Sequence, residues 1–356
     1  MKKPSMWSLL KETFVSWDED RAPRLAAALS YYTIFALAPL LIIAIGVAAL
    51  FFDEAEVRRN ILTELGGLIG RSGREAIEML IDGARKPTTG MIATAIGLVT
   101  LLIAAGGLFG QLQDALNTIW EVQPKPGRGI WGMLRDRFLS FAMVLGSGFL
   151  LLVSLLLSTA LAAMGQWAGG EAYGETTMWR IVNFVVSFGV TALLFAMIFK
   201  VLPDAKVRWK DVWIGAVATA ALFSLGRYLI GLYLGQAAPE STYGAAGSLV
   251  ALLIWIYYSS QILFLGAEFT QVYATTYGSR IEPTENAVRV TEAERAQQGM
   301  PSAETVATAV ALEGTPSARG RQPATARAAS SKLELAKMGV AFVAGALLGR
   351  RLGKAR

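Results

Sequence analysis

Ala26-Ala27-Ala28-Leu29-Ser30-Tyr31-Tyr32-Thr33-Ile34-Phe35-Ala36-Leu37-Ala38-Pro39-Leu40 opens an uncharged run that continues to Phe52. About 20 residues of helix cross the ~30 Å hydrocarbon core of a bilayer, so this run is long enough to span one. Pro39 removes one helical hydrogen bond and predicts a kink near Phe35. Five more apolar stretches follow, at about Met91–Gly110, Phe138–Met164, Ile181–Phe199, Val212–Leu234 and Ser248–Val272. The expected fold is all-α, a polytopic membrane protein with a six-transmembrane-helix bundle over residues 26–276.

The connections between these runs set an orientation. Lys2, Lys3, Lys11, Arg21 and Arg24 precede the first span, in a polar segment (1–25) expected along the cytoplasmic interface with Trp7, Phe14 and Trp17 turned inward. Lys125, Arg128, Arg135 and Arg137 lie between the second and third, and Lys200, Lys206, Arg208 and Lys210 between the fourth and fifth. The three-to-four connection has only Arg180 and the five-to-six connection has no Lys or Arg. Positive charge stays inside, which predicts a multi-pass protein with both termini in the cytoplasm. The loop 53–90 is the exception, with Arg58, Arg59, Arg71, Arg74, Arg85 and Lys86 among seven acidic residues. A translocated amphipathic helical hairpin and a miscounted span are both open; no run here is long enough to span, which favours the extracytoplasmic hairpin, broken at Gly70-Arg71-Ser72-Gly73.

Beyond Tyr277 the composition turns to Ala, Glu, Arg, Ser, Thr and Pro, and residues 277–332 read as a disordered linker. The tail 333–356 holds the twelve-residue run Met338–Gly349 followed by Arg350, Arg351, Lys354 and Arg356. It reads as a short membrane-associating element, interfacial or inserted.

Hydrophobic residues make up 54% of the chain and charged ones 17%, against about 25% in soluble proteins. The absence of Cys and His removes disulfides, thiol chemistry, Ser-His-Asp triads and His-dependent zinc sites. The net charge of +6 is scattered through connections and tail rather than gathered in a stripe, so no nucleic-acid partner is expected. No cofactor, metal or enzymatic activity is expected. The partner is the lipid bilayer, with a lipid or small molecule as substrate, and self-association into a homo-oligomer stays open.

Few polar residues fall inside the spans. Tyr31 and Tyr32 put hydroxyls into the cytoplasmic half of the first, as a packing face or a cavity lining. Arg227 is the clearest ionisable residue within a span, in the outer half of the fifth, where its side chain can snorkel. Glu268 sits about one turn inside the cytoplasmic end of the sixth, at the depth of Asp18, Asp20, Arg21 and Arg24. It is either paired with an N-terminal Arg or a carboxylate that gates or binds a cation. Asn117 joins these as a candidate, and Gly106 with Gly110 and Gly231 with Gly235 have helix-crossing spacing.

Four segments together resemble the YihY/BrkB family of inner-membrane proteins. They are Trp17-Asp18-Glu19-Asp20 with Ala26–Leu41, Leu116-Asn117-Thr118-Ile119-Trp120, Val201-Leu202-Pro203-Asp204-Ala205 with Arg208-Trp209-Lys210-Asp211-Val212, and Tyr243–Ser248 running to Gly266-Ala267-Glu268-Phe269. The resemblance covers about residues 10–278 and implies six helices and a role at the bacterial envelope, with relatives linked to serum resistance and to lipopolysaccharide or lipid handling. Members have also been labelled ribonuclease BN. A chain without His or Cys speaks against a zinc nuclease. Two readings follow: a transporter or lipid translocator whose cavity is lined by Tyr31, Tyr32, Asn117, Arg227 and Glu268, or a non-transporting envelope-maintenance protein in which those residues hold helices together.

Overall fold

The computed structural model describes residues 5–50, 52–84, 106–125, 177–237, 247–278 and 281–313. Its helices are α1 (Met6–Glu19), α2 (Ala22–Ala48), α3 (Glu54–Ala84), α4 (106–119), α5 (Thr177–Val201), α6 (Trp209–Ala237), α7 (Gly247–Thr276) and α8 (Glu292–Gln297). A last helix, α9 (Ala303–Glu313), belongs to a separate compact unit that begins at Pro301. Four helices contain stretches long and apolar enough to cross a membrane: Ala22–Gly46, Phe184–Val201, Trp209–Ile230 and Gly247–Thr276. These are the first, fourth, fifth and sixth of the expected spans, and Pro39 lies inside α2. The expected span 138–164 and nearly all of 91–110 lie outside the described residues.

Helix α7 is the centre of the bundle, with α6, α2, α1 and α3 packed around it. Its crossing with α6 is very close. A Cβ built on Gly215 meets Thr270, and one built on Gly266 meets Thr219, in each case 2.7 Å from the threonine Cβ. Each threonine hydroxyl donates to the carbonyl four residues back, Thr219 to Gly215 and Thr270 to Gly266, both at 2.7 Å. The two helices thus trade one Gly-x-x-x-Thr stretch against another in antiparallel order, the glycines admitting the threonine carbons. Small residues at helix-crossing positions permit this approach. Sequence spacing pointed to Gly106 and Gly110 instead, but no described atom comes within 4 Å of a Cβ built at either. The side-chain surroundings of Gly231 and Gly235 lie outside the described residues.

Helix α3 is continuous in hydrogen bonding yet doubles back. Arg58 reaches Asp82 at 2.5 Å and Glu78 at 3.8 Å. In a straight helix, residues that far apart in sequence would stand about 36 Å apart. Its two arms close Val57 and Leu62 against Ala76, Ile77 and Ile81, on a cluster with Ile45 and Ala48 of α2 and Leu252 and Ile256 of α7. Residues 54–84 thus fold back on themselves, although the break expected at Gly70-Arg71-Ser72-Gly73 is bridged by continuous helix.

The opposite end of the bundle is stitched by two short ladders. Strand β1 (Val122–Pro124) pairs antiparallel with β4 (Ala287–Arg289), and β2 (Ala205–Lys206) pairs with β3 (Glu282–Pro283). Residues 281–313 are thus folded, which corrects the expectation of a disordered linker over 277–332. Composition misled because the segment's own apolar content is small. Its order comes from strand partners in the α4 and α5 exits and from burying Ile281, Ala287 and Met300. Residues 314–332 and the tail 333–356 lie outside the described residues.

Candidate functional site

At the stitched end, three ionisable side chains meet in the packed interior. Glu268 of α7 is 0% exposed, Asp20 at the α1–α2 junction 3%, and Arg295 of α8 8%. The Arg295 guanidinium donates to Asp20 Oδ1 at 2.7 Å, with Glu121 and Glu292 each 3.8 Å away at the half-exposed rim. No N–H or O–H among the described residues donates to either oxygen of Glu268. The carboxyl of Asp20 lies within hydrogen-bonding reach of it. Two carboxylates cannot bond each other, so that contact is a hydrogen bond only when one of them carries a proton.

Local geometry delivers each group. Helix α1 ends as Asp20 N–H donates to Ser16 O, and Arg21, at φ 52°, turns the chain into α2. Helix α4 ends the same way, with Glu121 at φ 53° aiming its carboxylate at Arg295 while its carbonyl accepts from Val290. Non-glycine residues in this left-handed region cost about 1 kcal/mol or more, so the surrounding contacts hold both turns in place. Helix α8 opens on a capping box between Thr291 and Glu294. The Thr291 backbone N–H, its hydroxyl and the Gln123 amide hold the Glu294 carboxyl below the usual range, leaving it a fixed cap.

Burial pushes the Asp20 carboxyl up to about 6 from 3.8, against the opposing pull of Arg295. The folded state therefore holds more protons than the unfolded chain between these values, and this contribution to stability falls as pH rises through about 6. Unfolding temperature measured in lipid or detergent should show that fall. Asp20→Asn should lose it.

A second polar cluster is a clamp. Asn117 Nδ2 donates to Asp204 Oδ2 at 3.0 Å, and the Asp204 N–H returns a bond to Asn117 Oδ1 at 2.8 Å. It fastens α4 to the α5–α6 connection, and the Asp204 carbonyl accepts from Thr284 beside strand β3. Asn117→Ala would leave the Asp204 N–H without its acceptor and Asp204 Oδ2 with only the 3.5 Å bond from Gln113 Nε2, and should cost about 2 kcal/mol, read as a lower unfolding temperature.

Of the residues singled out in the sequence, the structure brings together only Glu268 and Asp20. Asn117 belongs to the clamp. Tyr31 and Tyr32 face outward at 61% and 40% exposure, their rings packed edge to face, and Tyr31 also lies against Phe35. Arg227 and Asp18 are exposed, and Arg227 lies on α6 far along from the end that carries Glu268. Among the described residues no arginine pairs with Glu268; the arginine at this cluster is Arg295, bonded to Asp20 and expected from the sequence to lie in a linker. The capping pattern Thr291-Glu292-Ala293-Glu294 was the available signal for it.

Long apolar helices around a buried ionisable cluster define a polytopic helical membrane protein. The chain matches the family described as Virulence factor BrkB over residues 13–291, and it belongs to that family. The match runs past 278 to Thr291 and stops just short of Arg295. A UPF0761 membrane protein of Pseudomonas aeruginosa (strain LESB58) is 30% identical over 251 residues, covering 70% of this chain and 58% of the relative. Similar proteins of the same description occur in Psychrobacter sp. (28% over 269 residues, 74% of this chain and 48% of the relative) and Cronobacter sakazakii (29% over 274 residues, 73% and 86%). The chain thus spans under two thirds of the length of the Pseudomonas relative. No solved structure matches it.

Proposed function

We propose that this protein is a six-helix transporter or translocator of the bacterial inner membrane, with cytoplasmic termini, that moves a lipid or small molecule. The observation that carries the reading is Glu268, fully buried in the central helix with both oxygens unpartnered among the described residues. Burying such a group without a partner costs several kcal/mol, and replacing it with an apolar residue is often neutral or stabilising. A buried carboxyl without a donor among the described residues is a candidate for a task in function rather than in folding. The test uses cells lacking the native gene and carrying the parent, Glu268→Gln or Glu268→Leu, each checked for equal folded abundance. Envelope permeability to a fluorescent dye should match the empty vector for both variants. If Glu268→Leu folds, gains thermal stability and protects the envelope as the parent does, the protein is a structural envelope component.

A further inference from the structure

We propose that Asp20 and Glu268 form a binding site for one shared proton, and that Arg295 is a tethered cation competing with that proton for Asp20. The proposal rests on the transporter reading only where it makes the proton a coupling ion; the binding itself stands apart from it.

Charge and geometry carry the argument. Two neighbouring carboxylates repel each other, and more strongly where water is excluded. One guanidinium serves this pair, bonded to Asp20 at 2.7 Å, while no donor among the described residues reaches Glu268. A single proton between the two carboxyls satisfies the oxygens of Glu268 and brings the three buried groups to neutrality. A guanidinium bonded to Asp20 disfavours a divalent cation at the same carboxylate, since the two positive charges would repel. Among the described residues, moreover, no group of acidic side chains is arranged to hold a metal.

The groups facing the pair come from every element that closes this end. Asp20 comes from the α1–α2 turn, Glu121 from the α4 exit, Glu268 from α7, and Glu292 and Arg295 from α8. Glu121 and Glu292 are half-exposed and already 3.8 Å from the guanidinium. When Asp20 takes a proton from water, its ion pair with Arg295 becomes a weaker neutral contact. The guanidinium then keeps its contacts with Glu121 and Glu292 at the rim, and the site gains one positive charge. Loss of the proton reverses each step and draws Arg295 back. The ion pair itself is strongest when the proton is absent, but burial of the carboxyl makes this end as a whole most stable when the proton is bound.

Infrared titration of the full chain in lipid vesicles, from about pH 4 to about pH 9, reads the site directly through the carbonyl stretch of protonated carboxyls. The parent should show a titrating band that is missing from Glu268→Gln. Arg295→Gln should retain its proton to a higher pH, by at least a tenfold fall in proton concentration, and Arg295→Lys should return the midpoint toward the parent value. Identical spectra for the parent and Glu268→Gln would overturn the proposal, as would a midpoint that Arg295→Gln leaves in place. Should Glu268→Gln not fold, Asp20→Asn replaces it, and it too should lack the titrating band of the parent; a band unchanged from the parent would overturn the proposal. A titrating band in a protein whose Glu268→Gln variant protects cells fully would sink the transporter reading and leave the proton site standing. The opposite pattern would do the reverse.

Discussion

Gly266→Leu should eliminate the folded bundle. Even a single methyl at this position meets Thr219, with the two Cβ atoms only 2.7 Å apart, and the wall behind it is the backbone of a fixed helix. Thr219 cannot rotate away cheaply, because its hydroxyl is bonded to the Gly215 carbonyl and Gly215 in turn admits Thr270. Relief requires pushing α6 off α7 along the whole crossing, which also opens the cluster of Val212, Ala216, Ala220, Phe264 and Ala267. Overpacking of a well-filled core typically costs 1–3 kcal/mol, and a branched side chain here should exceed about 3 kcal/mol. The readout is loss of the monodisperse species after extraction. Gly266→Ala should lower the unfolding temperature, and adding Thr219→Gly should recover much of the loss. A double-mutant cycle showing independent, additive effects would contradict the reciprocal packing.

Arg295→Ala should be the most damaging change at the stitched end. Both Arg295 and Asp20 are less than a tenth exposed, and removing one partner of a buried ion pair costs about 3–5 kcal/mol, because the other charge remains. Here the remaining charge is compounded by Glu268, so the loss should be largest at about pH 8 and shrink toward about pH 5, where the carboxyls take up protons. Hydrogen exchange should show residues 281–300 opening while the α6–α7 crossing keeps its protection. Uniform loss of protection across both regions would mean that the ion pair supports the entire bundle rather than its end. Asp20→Asn with Arg295→Ala should be milder than Arg295→Ala alone.

The apolar helices and Glu268 were legible in the sequence because each is a strong local signal, a run of hydrophobic residues or a charge inside one. Asp20 was legible by depth, lying near the first span's start as Glu268 lies near the sixth span's end. Arg295 was not, since its burial depends on two- and three-residue strands whose hydrogen-bond partners lie more than 75 residues away in sequence. Such strands leave no periodicity to read. Arg227, Tyr31 and Tyr32 show the converse failure: sequence gives depth along a helix but not which way a side chain turns. The glycines of the tight crossing went unread because each pairs with a threonine on another helix rather than with a second glycine four residues on.

The contact between Asp20 and Arg295 joins residues 275 positions apart. Bacterial and eukaryotic ribosomes add roughly 5–20 residues per second, so Asp20 emerges about 14 to 55 seconds before the arginine that neutralises it exists. During that interval the helices enter the bilayer in order while their common end stays open to water, its carboxylates hydrated and without a countercharge. Strands β3 and β4 and helix α8 are made only after all the spans, and they close it. A chain truncated before residue 295 would insert its helices yet stay permanently in that unfinished state, a ready mark for quality-control proteases.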